Sequence, residues 1–174
     1  VSAPLVIPAK EGPPRVVVAD AGGRVTLFDG EPLVKTTSWD MRPSRIGNEI
    51  TAGPFLLAGS GDVPTRVLVV VDQTLLLCLD PDSRPPKWRY RAKGDGIASA
   101  PRRRGDVLIL ADLAGRFEAI DANTGASAGP AYPAGALPAA PAAAPVELDD
   151  ARLFAPLSDG TVLLIPWDKL VPKN

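Results

Sequence analysis

A chain of 174 residues that is 45% hydrophobic, with 19 basic and 20 acidic side chains, has enough apolar material for one ordinary core and is too hydrophobic to remain disordered. Its formal charge of -1 gives no overall electrostatic footprint for nucleic acid, and no nucleic-acid partner is expected. With no histidine and one cysteine, Cys78, it cannot build the His/Cys metal, haem or thiol-histidine centres, nor an intrachain disulfide. The longest purely apolar runs are five residues, such as Val67 to Val71, against roughly 20 needed to span a bilayer, so no membrane span is expected. The chain opens on valine without a signal-peptide pattern, which fits a processed or excised piece.

Twenty prolines and 16 glycines are spread along the whole length and interrupt every apolar stretch, so long helices are excluded. Between them lie short β-branched segments, and in chain order these predict strands at Arg15 to Ala19, Arg24 to Phe28, Arg66 to Val71, Thr74 to Leu79, Asp106 to Ala111, Arg116 to Ile120, Arg152 to Ala155 and Thr161 to Ile165. They come in pairs joined by tight Asp- or Gly-containing turns. The turns Asp20-Ala-Gly-Gly23, Asp112-Leu-Ala-Gly115 and Leu157-Ser-Asp-Gly160 are copies of one another, while the shorter Asp72-Gln-Thr lacks the glycine. Gly23, Gly115 and Gly160 are read as structural turn residues, because a hairpin corner needs positive φ. Asp20 and Asp112 are read as carboxylates bonded to their own turns rather than as calcium ligands, since no dense acidic cluster surrounds them.

Ahead of each hairpin stands a small residue followed by proline, at Pro4, Pro54, Pro101 and Pro145, a recurrence at steps of 50, 47 and 44 residues. Behind the first three comes a further extended piece, Pro32 to Trp39, Pro86 to Ala92 and, more weakly, Gly125 to Tyr132. Each unit is therefore four strands in about 45 residues, which is the repeat of a β-propeller blade. The fold expected is all-β, a β-propeller of about four four-stranded antiparallel blades at 2–50, 51–97, 98–138 and 139–170, forming a single domain or part of a larger ring. The stretch 126–145, with ten alanines and five prolines, is read as the loosened outer strand and inter-blade loop of the third blade.

The third unit, Ser99-Ala-Pro101 followed by Gly105-Asp106-Val107-Leu-Ile-Leu-Ala-Asp112-Leu-Ala-Gly115-Arg-Phe-Glu-Ala-Ile-Asp121-Ala-Asn-Thr-Gly125, resembles the PQQ-like repeat of quinoprotein-type propellers, as does the outer segment Pro86-Lys-Trp88-Arg-Tyr-Arg. The catalytic members of that family bind a quinone with calcium in rings of about eight blades. No position here matches that site, and the single cysteine excludes the vicinal disulfide of several members. The resemblance therefore implies the non-catalytic branch, which includes the propeller lipoprotein of the bacterial outer-membrane barrel-assembly machinery. It implies a non-enzymatic interaction or assembly scaffold without a cofactor, at an extracytoplasmic location, either periplasmic or membrane-associated. Its partner would be another protein or the remainder of a parent polypeptide. The alternative is a fragment of a quinone-dependent dehydrogenase or ligand-binding propeller whose site lies on other blades.

Charge is segregated: from Arg84 to Arg104 there are eight basic residues and one acid, Asp95, so this stretch carries +7 against -8 for the remainder. In the segment around Arg89 and Arg91, cations alternate with Trp88, Tyr90 and Ala92, which predicts a cationic outer face over an aromatic inner one. Such a face either protects a sheet edge or contacts a partner. Arg102, Arg103 and Arg104 break the repeat, since the other first strands are apolar there. They are candidates for an anion or partner contact if alternate side chains point inward, or they occupy a solvated entry loop. The pair Asp149-Asp150 falls at an expected turn, and no phosphate loop or nucleophile elbow is present. Four such blades leave a raw sheet face at each end. The side chains expected to make contacts there are Leu5, Ile7, Leu163 and Ile165; a four-bladed ring, a two-fold pair and continuation by another part of the parent polypeptide all fit, and continuation is the closure expected.

Overall fold

The computed structural model describes residues 3–9, 12–41, 49–59, 64–135, 137 and 139–172. The proposed blade limits at residues 2 and 138 lie outside them. Fourteen strands are described: β1 (Leu5–Ile7), β2 (Arg15–Ala19), β3 (Arg24–Asp29), β4 (Val34–Asp40), β5 (Ile50–Leu57), β6 (Arg66–Val71), β7 (Leu75–Leu79), β8 (Trp88–Arg91), β9 (Arg102–Arg104), β10 (Val107–Ala111), β11 (Phe117–Asp121), β12 (Val146–Asp149), β13 (Arg152–Pro156) and β14 (Val162–Pro166). Among the described residues one helix, the four-residue α1 (Trp167–Leu170), follows them. The strands form four antiparallel meanders in chain order, β1 to β4, β5 to β8, β9 to β11 and β12 to β14. This is the all-β, blade-by-blade organisation that the repeat predicts.

Among the described residues, two of the four sheets have three strands. In the third, the expected outer strand is reduced to isolated bridges, Ile120 with Ser127 and Phe117 with Tyr132. Prolines at 130 and 133 remove backbone donors from this stretch, so a continuous ladder cannot form. In the fourth, the chain turns into α1 directly after Pro166, where an outer strand would begin.

The chain divides into two compact units, Val1–Arg89 and Tyr90–Asn174. In the first, β2 and β3 pair Val17 with Leu27 and Ala19 with Val25, and these side chains share one core with Val67, Val69 and Val71 of β6 and Leu75, Leu77 and Leu79 of β7. Fully burying each such side chain is worth roughly 1.5–3 kcal/mol relative to exposure. At the margin of this core Arg15 spans Asp82 at 2.8 Å and Asp29 at 3.3 Å, and the Trp39 indole N–H donates to the Ser83 carbonyl. In the second unit, Ile109, Ala111, Phe117 and Ala119 of the third sheet pack with Leu153, Ala155 and Ile165 of the fourth, and Leu170 of α1 completes the cluster.

The parity of the end sheets corrects the sequence reading. Ile7 and Ile165 are buried, Leu5 packs against the first core and Leu163 against the second. The side chains turned to solvent are their neighbours, Val6 on β1 and Val162 and Leu164 on β14. Val162 to Ile165 is a continuous apolar run, so no polar position marks the outer face, and a one-residue error exchanges the two faces.

Candidate interaction surface

The three hairpin turns share one geometry. The carbonyl of the first residue accepts from the glycine N–H at 3.1–3.2 Å (Asp20 from Gly23, Asp112 from Gly115, Leu157 from Gly160), and the three glycines have φ of 83, 82 and 84°. In the first turn the Asp20 carboxylate accepts from the Arg24 N–H at 3.0 Å. In the second, Asp112 accepts from both the N–H and the Nε–H of Arg116 at 2.8 Å, with its own side chain almost wholly buried. The third has leucine at this position, and Asp159 serves instead by accepting from the N–H and hydroxyl of Thr161. Each of these carboxylates bonds to groups of its own turn.

The cationic segment alternates as predicted. Along β8, Trp88 and Tyr90 are buried while Arg89 and Arg91 are exposed. β8 is the outer edge of its sheet, so the two guanidiniums flank an edge backbone. The Tyr90 hydroxyl donates to the buried Glu118 carboxylate at 2.7 Å, and the Lys93 N–H donates to the same group at 3.1 Å. Burial, with Glu118 as acceptor, raises the Tyr90 phenol well above its ordinary range. Sequence reasoning did not find this pairing, because the partners are 28 residues apart in different repeats. A glutamate set between Phe117 and the apolar pair Ala119-Ile120 of β11 was the available signal.

The triple arginine is neither a solvated loop nor a single patch. Arg102, Arg103 and Arg104 form β9, pairing with Ile109, Leu108 and Val107 of β10. Period-two geometry sends Arg103 to one face and Arg102 and Arg104 to the other. Arg103 bends back to donate to the Gly105 carbonyl at 2.7 Å and lies 3.8 Å from Asp106. Arg104 reaches the fourth sheet, donating to the Asp150 carbonyl at 2.6 Å and covering the Trp167 ring 4.3 Å from its centroid. That stacking is worth about 0.5–2 kcal/mol. Arg102 is exposed. Arg103 and Arg104 make the contacts just described, and Arg89, Arg91 and Arg102 are exposed residues.

No protein-family model and no curated protein matches the chain. Solved structures do. The crystal structure of BamB from Moraxella catarrhalis, a β-propeller, aligns with a TM-score of 0.66 at 20% identity, over 97% of this chain and 46% of that one. The computationally designed Ika4 protein aligns at 0.62 and 15% identity, over 95% of this chain and 91% of that one. BBS1N, from its complex with ARL6DN, aligns at 0.59 and 15% identity, over 94% of this chain and 55% of that one. The fold is a β-propeller. The chain spans less than half the length of the BamB structure it matches.

Proposed function

We propose that the chain is a non-enzymatic propeller segment of the PQQ-like, non-catalytic kind, acting extracytoplasmically as a scaffold for a protein partner. The observation that carries this reading is the outer edge strand β8. Its buried Trp88 and Tyr90 fix the strand, while Arg89 and Arg91 stand exposed on the outer strand of the sheet. A partner suited to this strand is an extended acidic segment, with the exposed guanidiniums supplying specificity and on-rate. The buried carboxylates Asp112 and Glu118 support the same reading, since both are bonded to protein donors within the fold.

Fluorescence anisotropy with a labelled, Asp- and Glu-rich extended peptide tests this directly. Binding is expected to weaken with salt and to fall about tenfold in the Arg89→Glu, Arg91→Glu double variant. Binding unaffected by either change overturns the edge reading. A saturable rise in melting temperature on titrating pyrroloquinoline quinone with calcium overturns the non-enzymatic reading.

A further inference from the structure

The connection that leads into β8 closes one side of a cavity of about 390 Å³ whose lining belongs wholly to the first unit. Its floor is Trp39 and Met41 at the end of β4, and its outer wall is Arg84-Pro85-Pro86, just ahead of Trp88. Both walls are held before anything binds. The Met41 N–H donates to the Gly23 carbonyl at 2.8 Å, the Lys87 N–H donates to the Cys78 carbonyl at 2.8 Å, and the Trp39 indole N–H ties one wall to the other through the Ser83 carbonyl at 3.3 Å. Two successive prolines fix φ along the outer wall, so it has little freedom to collapse into the space.

The lining decides what such a space accepts. An indole, a thioether and two pyrrolidine rings offer apolar, polarisable surface, which suits an aromatic ring. The volume lies near the lower end of the roughly 300–1,000 Å³ of ligand-holding cavities, enough for one large side chain. At the rim the Asp40 carboxylate is engaged by Arg24 at 3.3 Å, whereas Arg84 is exposed and can cover a ring that enters. From the cavity onward the chain offers Arg84, Lys87 and Arg89 with no acid between them, so the polypeptide that carries the ring is acidic. We propose that this cavity anchors an aromatic side chain of the acidic segment received by β8, an inference that rests on the reading of β8 given above. Arg89 stands three residues beyond Pro86, at most about 11 Å of extended chain, which places a partner acid three positions from the aromatic. A single buried ring of this kind concentrates binding energy, while the exposed guanidiniums select for charge.

Fluorescence anisotropy with two labelled peptides of equal charge tests the anchor, one carrying Phe three residues outside each end of its acidic run and the other carrying Ala there. The Phe peptide is expected to bind about tenfold more tightly. Ser38 lines the cavity from β4, so Ser38→Phe is expected to fill it and remove that gain while leaving the Kd of the Ala peptide unchanged. Circular dichroism confirms that the variant keeps its strands. Should it unfold, the indole N–H resonance of Trp39 in the unaltered chain provides the readout, shifting saturably with the Phe peptide and not with the Ala peptide. Equal affinities of the two peptides for the unaltered chain, a gain that survives Ser38→Phe, or a Trp39 resonance that does not respond overturn the anchor and leave the β8 reading in place. Indifference of both peptides to the Arg89→Glu, Arg91→Glu double substitution overturns the β8 reading, and this inference falls with it.

Discussion

In the second sheet, β6 and β7 are buried at every position, whereas in the fourth, β12 is exposed at every position and β14 has a single fully buried residue, Ile165. The sequences of the two pairs look alike, Val67 to Val71 and Leu75 to Leu79 against Leu153 to Ala155 and Val162 to Ile165. The difference lies in whether both faces of a blade are covered. Covered on both sides, a strand spends its whole apolar run on the core, while a strand covered on one side leaves half of that run in water. An identical substitution should therefore have very different consequences in the two sheets.

The largest contrast is between Leu77→Ala and Leu164→Ala. Leu77 is fully buried in the core of the first unit, and its truncation is expected to cost about 3 kcal/mol from lost transfer energy plus an unfilled cavity. Leu164 is 46% exposed, and its truncation is expected to cost less than about 1 kcal/mol in the monomer. Urea unfolding monitored at low protein concentration measures both. Equal costs would mean that the outer face of the fourth sheet is already covered.

Burial in the second sheet also predicts an alkaline limit. Desolvation in β7 pushes the Cys78 thiol up from its ordinary 9.0 to about 12, with Arg66 opposing, and burial and Glu118 raise the Tyr90 phenol likewise. The native state thus retains protons that the unfolded chain releases, so stability is complete below about pH 9 and is lost as pH rises towards 12. Melting temperature against pH is expected to fall across this window, less steeply in Cys78→Ala and least in the double variant with Tyr90→Phe. An unchanged slope in these variants contradicts the assignment.

A third contrast sets two copies of one turn against each other. Asp112 is almost wholly buried and accepts two bonds from Arg116, whereas the exposed Asp20 accepts one from the Arg24 N–H. Asp112→Ala is expected to cost about 2–3 kcal/mol, because a charge-assisted pair is lost in a partly buried setting, and Asp20→Ala about 1 kcal/mol. Thermal unfolding of the two variants ranks them, and the reverse order would show that the buried pair is not worth its desolvation.

The eight hairpin strands were legible to within a residue or two at each end because turn chemistry and proline punctuation are local. Gly23 and Gly115 mark corners whichever blade they belong to, and the Trp88-Arg-Tyr-Arg alternation fixes its own two faces. What depended on contacts between repeats was not legible. The bond from Tyr90 to Glu118 and the reach of Arg104 to Trp167 join residues 28 and 63 positions apart, and no periodicity within a strand specifies the neighbour across a blade. The outer face of β14 was lost for a simpler reason, since four consecutive apolar residues carry no alternation to read. The triple arginine was visible as a break in the repeat, yet only pairing with β10 separates Arg103 from its two neighbours.

The smallest effect expected concerns the second sheet's own hairpin, the copy that lacks glycine. Asp72 and Gln73 connect β6 to β7 with φ of 47 and 58°, and the Thr74 N–H donates to the Val71 carbonyl at 3.2 Å, so both central residues sit in the left-handed region that a I′ turn requires. Side-chain-bearing residues occupy that region at a cost of roughly 1 kcal/mol each. Neighbouring groups hold them there: the Asp72 carboxylate accepts from the Glu49 N–H, the Asp72 N–H donates to the Glu49 carbonyl, and the Gln73 N–H donates to the Thr51 hydroxyl at 3.0 Å. All three bonds survive Gln73→Gly, because the only Gln73 group involved is its backbone N–H and its side chain is exposed. Relief of the left-handed strain then outweighs the extra entropy of glycine in the unfolded chain, and stability should rise by about 0.5 kcal/mol. Asp72→Gly relieves the same strain but forfeits the carboxylate bond to Glu49, so its effect should be destabilising. Urea midpoints that move in opposite directions for these two substitutions would establish that this hairpin is held by β5 rather than by its own turn residues, and a loss of stability in Gln73→Gly would refute it.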